Sequence, residues 1–123
     1  MTVRVAVQEM PILVIEDDPG ARGAIAAGLE FSGFRVTTCG NGEEGLRAIE
    51  RERPALILLD MHMPVMDGWE FARELAQRGE RFPIIVMTTD PDDAETVGAL
   101  AWFAKPLDWA QLLSRIESIV RSN

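Results

Sequence analysis

The sequence predicts an α/β fold, a parallel sheet with helices on both faces, and three observations predict it. Short uninterrupted apolar runs stand at residues 12–15, 55–59 and 84–87. Strands that are apolar at every position are buried on both faces, as in parallel sheets. Stretches with capping residues and helical spacing lie between the runs, so strand and helix alternate five times. Each strong run is also followed at once by a residue of polar chemistry, and in open sheets of this kind the chemistry sits beyond the carboxyl ends of the strands.

The elements follow in order. Residues 1–10 read as a short lead-in, and Pro11 opens the strand over 12–15. Asp18-Pro19 supplies an N-cap and a proline at the first helical position. That helix runs to Phe31 and ends near Gly33. Residues 34–39 carry β-branched side chains and read as a second strand. Asn41-Gly42 predicts a turn, with a short helix after it to Arg51. Pro54 precedes the strand over 55–59, and Asp67-Gly68 leads a helix over 69–77. Pro83 precedes the strand over 84–87. Pro91 with Asp92-Asp93 signals a turn and cap for a short helix over 92–99. Residues 102–104 form the last strand. Asp108 caps a final helix to Arg121, with Leu112, Leu113, Ile116 and Ile119 at helical spacing.

The 123 residues leave room for one domain with a real core. No apolar run approaches the ~20 residues that a membrane helix needs. Val3–Val7 is followed at once by Gln8 and Glu9, unlike a secretory signal. Cys39 is a single cysteine and cannot form an internal disulfide, so the expected location is the cytoplasm. A formal net charge of −8 counts against direct binding to nucleic acid or to anionic membranes. It suits a protein that gathers carboxylates around a cation.

The strand ends supply the candidate site. The first ends in Glu16-Asp17, the third in Asp60, the fourth in Thr88-Thr89 and the fifth in Lys105-Pro106. Singly, each has a plain explanation as a cap, a turn residue or a solvated charge. Together they bring three carboxylates, a hydroxyl and an ammonium to one sheet edge. Crowded carboxylates repel and resist full ionisation, and a divalent cation with hard oxygen ligands relieves that repulsion.

Four segments carry a family resemblance. They are Ile12-Leu13-Val14-Ile15-Glu16-Asp17-Asp18, Asp60-Met61-His62-Met63-Pro64-Val65-Met66-Asp67-Gly68, Pro83-Ile84-Ile85-Val86-Met87-Thr88 and Lys105-Pro106. The chain from Pro11 onward resembles the receiver domain of bacterial response regulators. The second segment is the most specific, since it matches the family's Asp-x-x-Met-Pro-x-Met-Asp-Gly pattern in full. The resemblance implies a three-layer flavodoxin-like (βα)5 sandwich over residues 11–123, with a sheet of order 2-1-3-4-5.

It further implies that Asp60 is the phosphoacceptor, taking a phosphoryl group from the phosphohistidine of a sensor kinase or phosphotransfer protein. Mg²⁺, for which Mn²⁺ can substitute, would be held by Asp17, Asp60, Glu16 through water, and the His62 backbone carbonyl. Lys105 would pair with the phosphoryl group, and with Asp60 before it arrives. Thr88 would donate its hydroxyl to a phosphoryl oxygen. Trp102, where relatives carry Tyr or Phe, would turn inward as the switch aromatic; the alternative for it is plain core packing. Lys105-Pro106 resembles the family's cis-proline junction. His62 and Asp90 fall at positions that tune phosphoryl lifetime, the alternative for Asp90 being a turn residue. Thr89 replaces a smaller residue and would narrow access to Asp60. Such a module is a signalling phosphoacceptor and not an enzyme, beyond self-phosphorylation from small donors and slow autodephosphorylation. It is expected as a monomer or weak dimer acting on a protein target.

One departure stands out. Seventeen positions separate Thr88 from Lys105, roughly five fewer than in typical relatives and more than one helical turn. A stunted fourth helix is therefore expected.

Three other readings compete. A Mg²⁺-dependent phosphohydrolase with Asp60 as nucleophile needs a second acid two residues on, where His62 stands. A pseudo-receiver scaffold is disfavoured by the intact set of Glu16, Asp17, Asp60, Thr88 and Lys105. A flavodoxin-like cofactor binder needs a glycine- or hydroxyl-rich phosphate loop, whereas Glu16-Asp17-Asp18 would repel a phosphate.

Overall fold

Apolar residues at every position of a strand pack against helices on both sides of a sheet, and the computed structural model follows that rule. It describes residues 9–121 except 91 and 96. Most of the expected lead-in, and the turn expected at Pro91, lie outside the described residues. The elements are β1 (Ile12–Ile15), α1 (Pro19–Phe31), β2 (Val36–Cys39), α2 (Gly42–Arg51), β3 (Leu56–Asp60), α3 (Gly68–Gln77), β4 (Ile84–Thr88), α4 (Asp92–Glu95), β5 (Ala101–Ala104) and α5 (Trp109–Arg121). All strand pairs are parallel, in the order β2-β1-β3-β4-β5.

The period of two along each strand divides the core. Leu13, Ile15, Ile57, Leu59 and Val86 meet Leu46 and Ile49 of α2 and Phe71 and Leu75 of α3. Ile12, Val14, Leu56, Leu58, Ile85 and Met87 meet Ile25 and Leu29 of α1 and Leu112, Ile116, Ile119 and Val120 of α5. Gly28 lets α1 approach α5, because a Cβ there would lie 2.5 Å from the Trp109 ring.

The helix signals act as caps. Asp18 accepts from the Ala21 N–H at 2.7 Å, with Pro19 following at the helix start. Asp67 and Glu70 form a reciprocal capping box on α3. Asp108 accepts from the Gln111 N–H at 3.2 Å. The expected turn at Asn41-Gly42 needs correction: Asn41 is the N-cap of α2, accepting from the Glu44 N–H at 2.9 Å, and Gly42 is already helical. Asparagine serves turns and caps through the same side-chain acceptor, so the local pattern does not separate them.

The fourth helix is shorter than the expected 92–99, with α4 ending at Glu95. Trp102 sits in register with Val86 and hence on the α2/α3 face. A helix this short does not cover it, and Trp102 remains 43% exposed. The core-packing alternative for Trp102 therefore fails. Among the described residues no helix is long and apolar enough to cross a membrane.

Candidate functional site

Parallel strands end on one edge of the sheet, so the residue after each apolar run is carried there by the fold. Glu16 follows β1, Asp60 closes β3, Thr88 closes β4 and Lys105 follows β5. The ladder continues one step past β5, where the Lys105 N–H donates to the Thr88 carbonyl at 3.0 Å. The Lys105-Pro106 peptide is cis, as expected.

Glu16 and Asp60 are 1% and 4% exposed, an unusual burial for carboxylates. The Lys105 Nζ lies 2.7 Å from Glu16 Oε1 and 3.4 Å from Asp60 Oδ1. The expected pairing with Asp60 is present, and Glu16 is the closer partner. Asp17 is exposed beside them, and carboxylate oxygens of Glu16, Asp17 and Asp60 all lie within 4.8 Å of one another. Arg22 donates from α1 to the Glu16 carbonyl at 2.9 Å and holds the loop that presents these acids.

Two buried carboxyls beside one ammonium share a proton unequally. Burial pushes the Asp60 carboxyl up to about 7, helped by its hydrogen bond with Glu16 and the Glu16 charge, against the pull of Lys105. Burial would also raise Glu16, but its hydrogen bonds with Asp60 and Lys105 outweigh burial and hold it below the ordinary range. Burial would lower Lys105, and Glu16 and Asp60 together raise it instead. Glu16 therefore keeps its charge against Lys105, and Asp60 is the carboxyl of the pair that takes up a proton more readily.

The loop after β3 is built tightly. A Cβ on Gly68 would lie 2.5 Å from the Met61 sulfur and 2.8 Å from its Cα, so the start of α3 closes on the acceptor strand only with glycine there. Within the loop the Met66 N–H donates to the Pro64 carbonyl at 2.8 Å across Val65, whose φ is 69°. This is a γ-turn with a β-branched residue in the left-handed region, a strained arrangement.

A second hydrogen-bonded group adjoins the carboxylates. The Thr88 hydroxyl donates to Asp93 Oδ2 at 2.5 Å and accepts from the Asp90 N–H at 3.1 Å. The His62 Nε2 lies 3.1 Å from the same Asp93 oxygen. A carboxylate only accepts, so Nε2 carries the ring proton. The His62 ring stands edge-on to Trp69 at 5.2 Å, and its backbone N–H reaches Asp60 Oδ1 at 3.4 Å.

A family model described as the response regulator receiver domain matches residues 12–117. The chain belongs to that family. It is 37% identical over 115 residues to the transcriptional regulatory protein AfsQ1 of Streptomyces coelicolor, covering 89% of this chain and 51% of that protein. It is 35% identical over 117 residues to the response regulator MprA of Mycobacterium leprae, covering 91% and 51%. The chain thus spans about half the length of these curated relatives. Among solved structures it resembles the receiver domain of the sensor histidine kinase PA1611 from Pseudomonas aeruginosa, which has magnesium coordinated in its active-site cleft. That match has a TM-score of 0.80 and 33% identity, covering 90% of this chain and 97% of that one.

As a receiver the chain is a phosphoacceptor module of two-component signalling. The receiver fold brings Glu16, Asp17, Asp60, Thr88, Lys105 and His62 to one edge, the carboxyl ends of the strands. Thr89 and Asp90 are exposed at its rim. The Asp90 carboxylate accepts from the Asp92 N–H at 3.0 Å, so Asp90 acts as a turn residue that starts α4. Cys39 is buried, and burial, with the nearby Glu44, pushes its thiol up to about 11, as befits a core filler. Sequence reasoning missed Arg22, Trp69 and above all Asp93. An acid at the start of a helix reads as a helix-end residue, and nothing local ties it to Thr88.

Proposed function

We propose that Asp60 accepts a phosphoryl group from a phosphohistidine, with Glu16, Asp17 and Asp60 holding Mg²⁺ or Mn²⁺ together with the His62 carbonyl. The observation that carries this reading is the Asp60 carboxyl buried at the end of β3, with Glu16 and the Lys105 ammonium within reach. The donor set fits a hard divalent cation. It consists of carboxylate oxygens close together, and such a cation would offset the burial and the Glu16 charge that together raise Asp60. When bound, the ion neutralises charge on the phosphoryl oxygens and keeps Asp60 ionised at neutral pH.

The chain's own groups do the rest. Ionised Asp60 attacks phosphorus; an O–P bond forms, the P–N bond to the donor imidazole breaks, and the imidazole leaves with a proton. Lys105 exchanges a carboxylate oxygen for a phosphoryl oxygen as charge moves outward. Thr88 turns its hydroxyl toward the same group, and Trp102 leaves its exposed position to fill the space. His62, Thr89 and Asp90 line the approach and set how readily water or a partner reaches the acyl phosphate. The partner is a sensor histidine kinase or phosphotransfer protein in the cytoplasm, residues 11–123 act as one unit, and the chain works by signalling, with slow autodephosphorylation its only turnover.

The test is intact-mass spectrometry after incubation with acetyl phosphate, with and without Mg²⁺. A Mg²⁺-dependent gain of one phosphoryl group is expected in wild type and is absent from Asp60→Asn. No gain in wild type under any condition refutes the reading and leaves a scaffold role.

A further inference from the structure

Thr88 has one hydroxyl proton, and the structure commits it. The hydroxyl donates to Asp93 Oδ2 at 2.5 Å, while its oxygen accepts from the Asp90 N–H. Donation to a phosphoryl oxygen therefore requires breaking the bond to Asp93 first. We propose that Asp93 is a latch that holds Thr88 in its unphosphorylated position, so that phosphorylation must compete with a carboxylate built into the α4 stub. The inference rests on the reading of Thr88 as a donor to the phosphoryl group, and it assigns Asp93 a positioning role in that reaction.

Three features suit Asp93 to this. It is 7% exposed, so its bond to Thr88 competes little with water. Its backbone is fixed, with its N–H on the Asp90 carbonyl at 3.2 Å and the Asp90 carboxylate on the Asp92 N–H. The His62 Nε2 bonds the same oxygen from the β3–α3 loop, whose backbone N–H reaches Asp60. The latch thus joins the end of β4 to the loop beside the acceptor. Its place in the first turn of α4 sets Asp93 directly against the end of β4.

The test is a double-mutant cycle read by affinity for beryllofluoride, a phosphoryl analogue, in the presence of Mg²⁺. Asp93→Ala is expected to bind about tenfold tighter than wild type, the equivalent of one hydrogen bond to a charged acceptor. Asp93→Asn keeps an acceptor without the charge and falls between the two. In the Thr88→Ala background the Asp93→Ala change has no effect, because the group it restrains is gone. A merely structural or purely electrostatic Asp93 acts equally in both backgrounds, and that result overturns the latch. So does unchanged or weaker binding by Asp93→Ala and Asp93→Asn while wild type binds normally. If wild type neither binds beryllofluoride nor gains a phosphoryl mass, the reading of Asp60 fails and takes the latch with it.

Discussion

Replacing Asp60 by asparagine removes a carboxyl that holds its proton near neutrality. In the unfolded chain this group ionises near its ordinary value of 3.8, and in the folded protein near 7. Between those values the folded state binds the extra proton, so this group's contribution to stability falls as pH rises through the window. Below 3.8 and above 7 it is constant. Between pH 5 and pH 8 the loss is about 2–3 kcal/mol, at roughly 1.4 per unit while the folded state holds the extra proton. The Asp60→Asn variant lacks this titration, so it gains that much on wild type between pH 5 and pH 8. At ~4 °C per kcal/mol for a chain of this size, the relative shift in Tm is about 10 °C. The assay is urea unfolding in EDTA at several pH values, with thermal melts alongside. Mg²⁺ should then restore stability to wild type at pH 8 and much less at pH 5, where protons compete for the same oxygens. A stability difference that does not vary with pH, or a variant that loses ground as pH rises, refutes the shared-proton account.

Two further substitutions probe the charge set and the loop. Lys105→Ala leaves Glu16 buried without its ammonium, and without metal it is expected to lose about 2 kcal/mol in urea unfolding. Mg²⁺ titration of that variant should show undiminished affinity, since a competing cation is gone; a large loss of Mg²⁺ affinity would sink the role given to the lysine. Val65→Gly relieves a left-handed β-branched residue whose side chain is 71% exposed and contributes little packing. The strain relief of ~1–2 kcal/mol exceeds the entropy that glycine returns to the unfolded chain, so a net gain of about 1 kcal/mol is expected. Unchanged or lower stability in urea would mean that the γ-turn is not strained.

Much of this protein was legible in the order of its residues. The fully apolar runs at 12–15 and 84–87 announce strands covered on both sides, and parallel strands end on one edge. Asp60 and Lys105 could therefore be assigned to one site although far apart in the chain. Capping residues such as Asp18, Asp67 and Asp108 marked helix starts because their side chains act within three residues. Asn41 was misread as a turn for the same local reason, since one side-chain acceptor serves both structures.

What the sequence alone determined was the set of elements, their parallel arrangement and the chemical identity of the groups at the sheet edge, because these follow from local periodicity and chain direction. Tertiary structure decided which groups pair. Lys105 lies closer to Glu16 at 2.7 Å than to Asp60 at 3.4 Å, and burial decided which carboxyl takes up a proton more readily. The same holds for Trp102, left exposed by a short helix, and for Asp93, which meets Thr88 and His62 only when α4 folds against the end of β4. Distances and dielectric set these outcomes, and neither exists until strands far apart in sequence lie side by side.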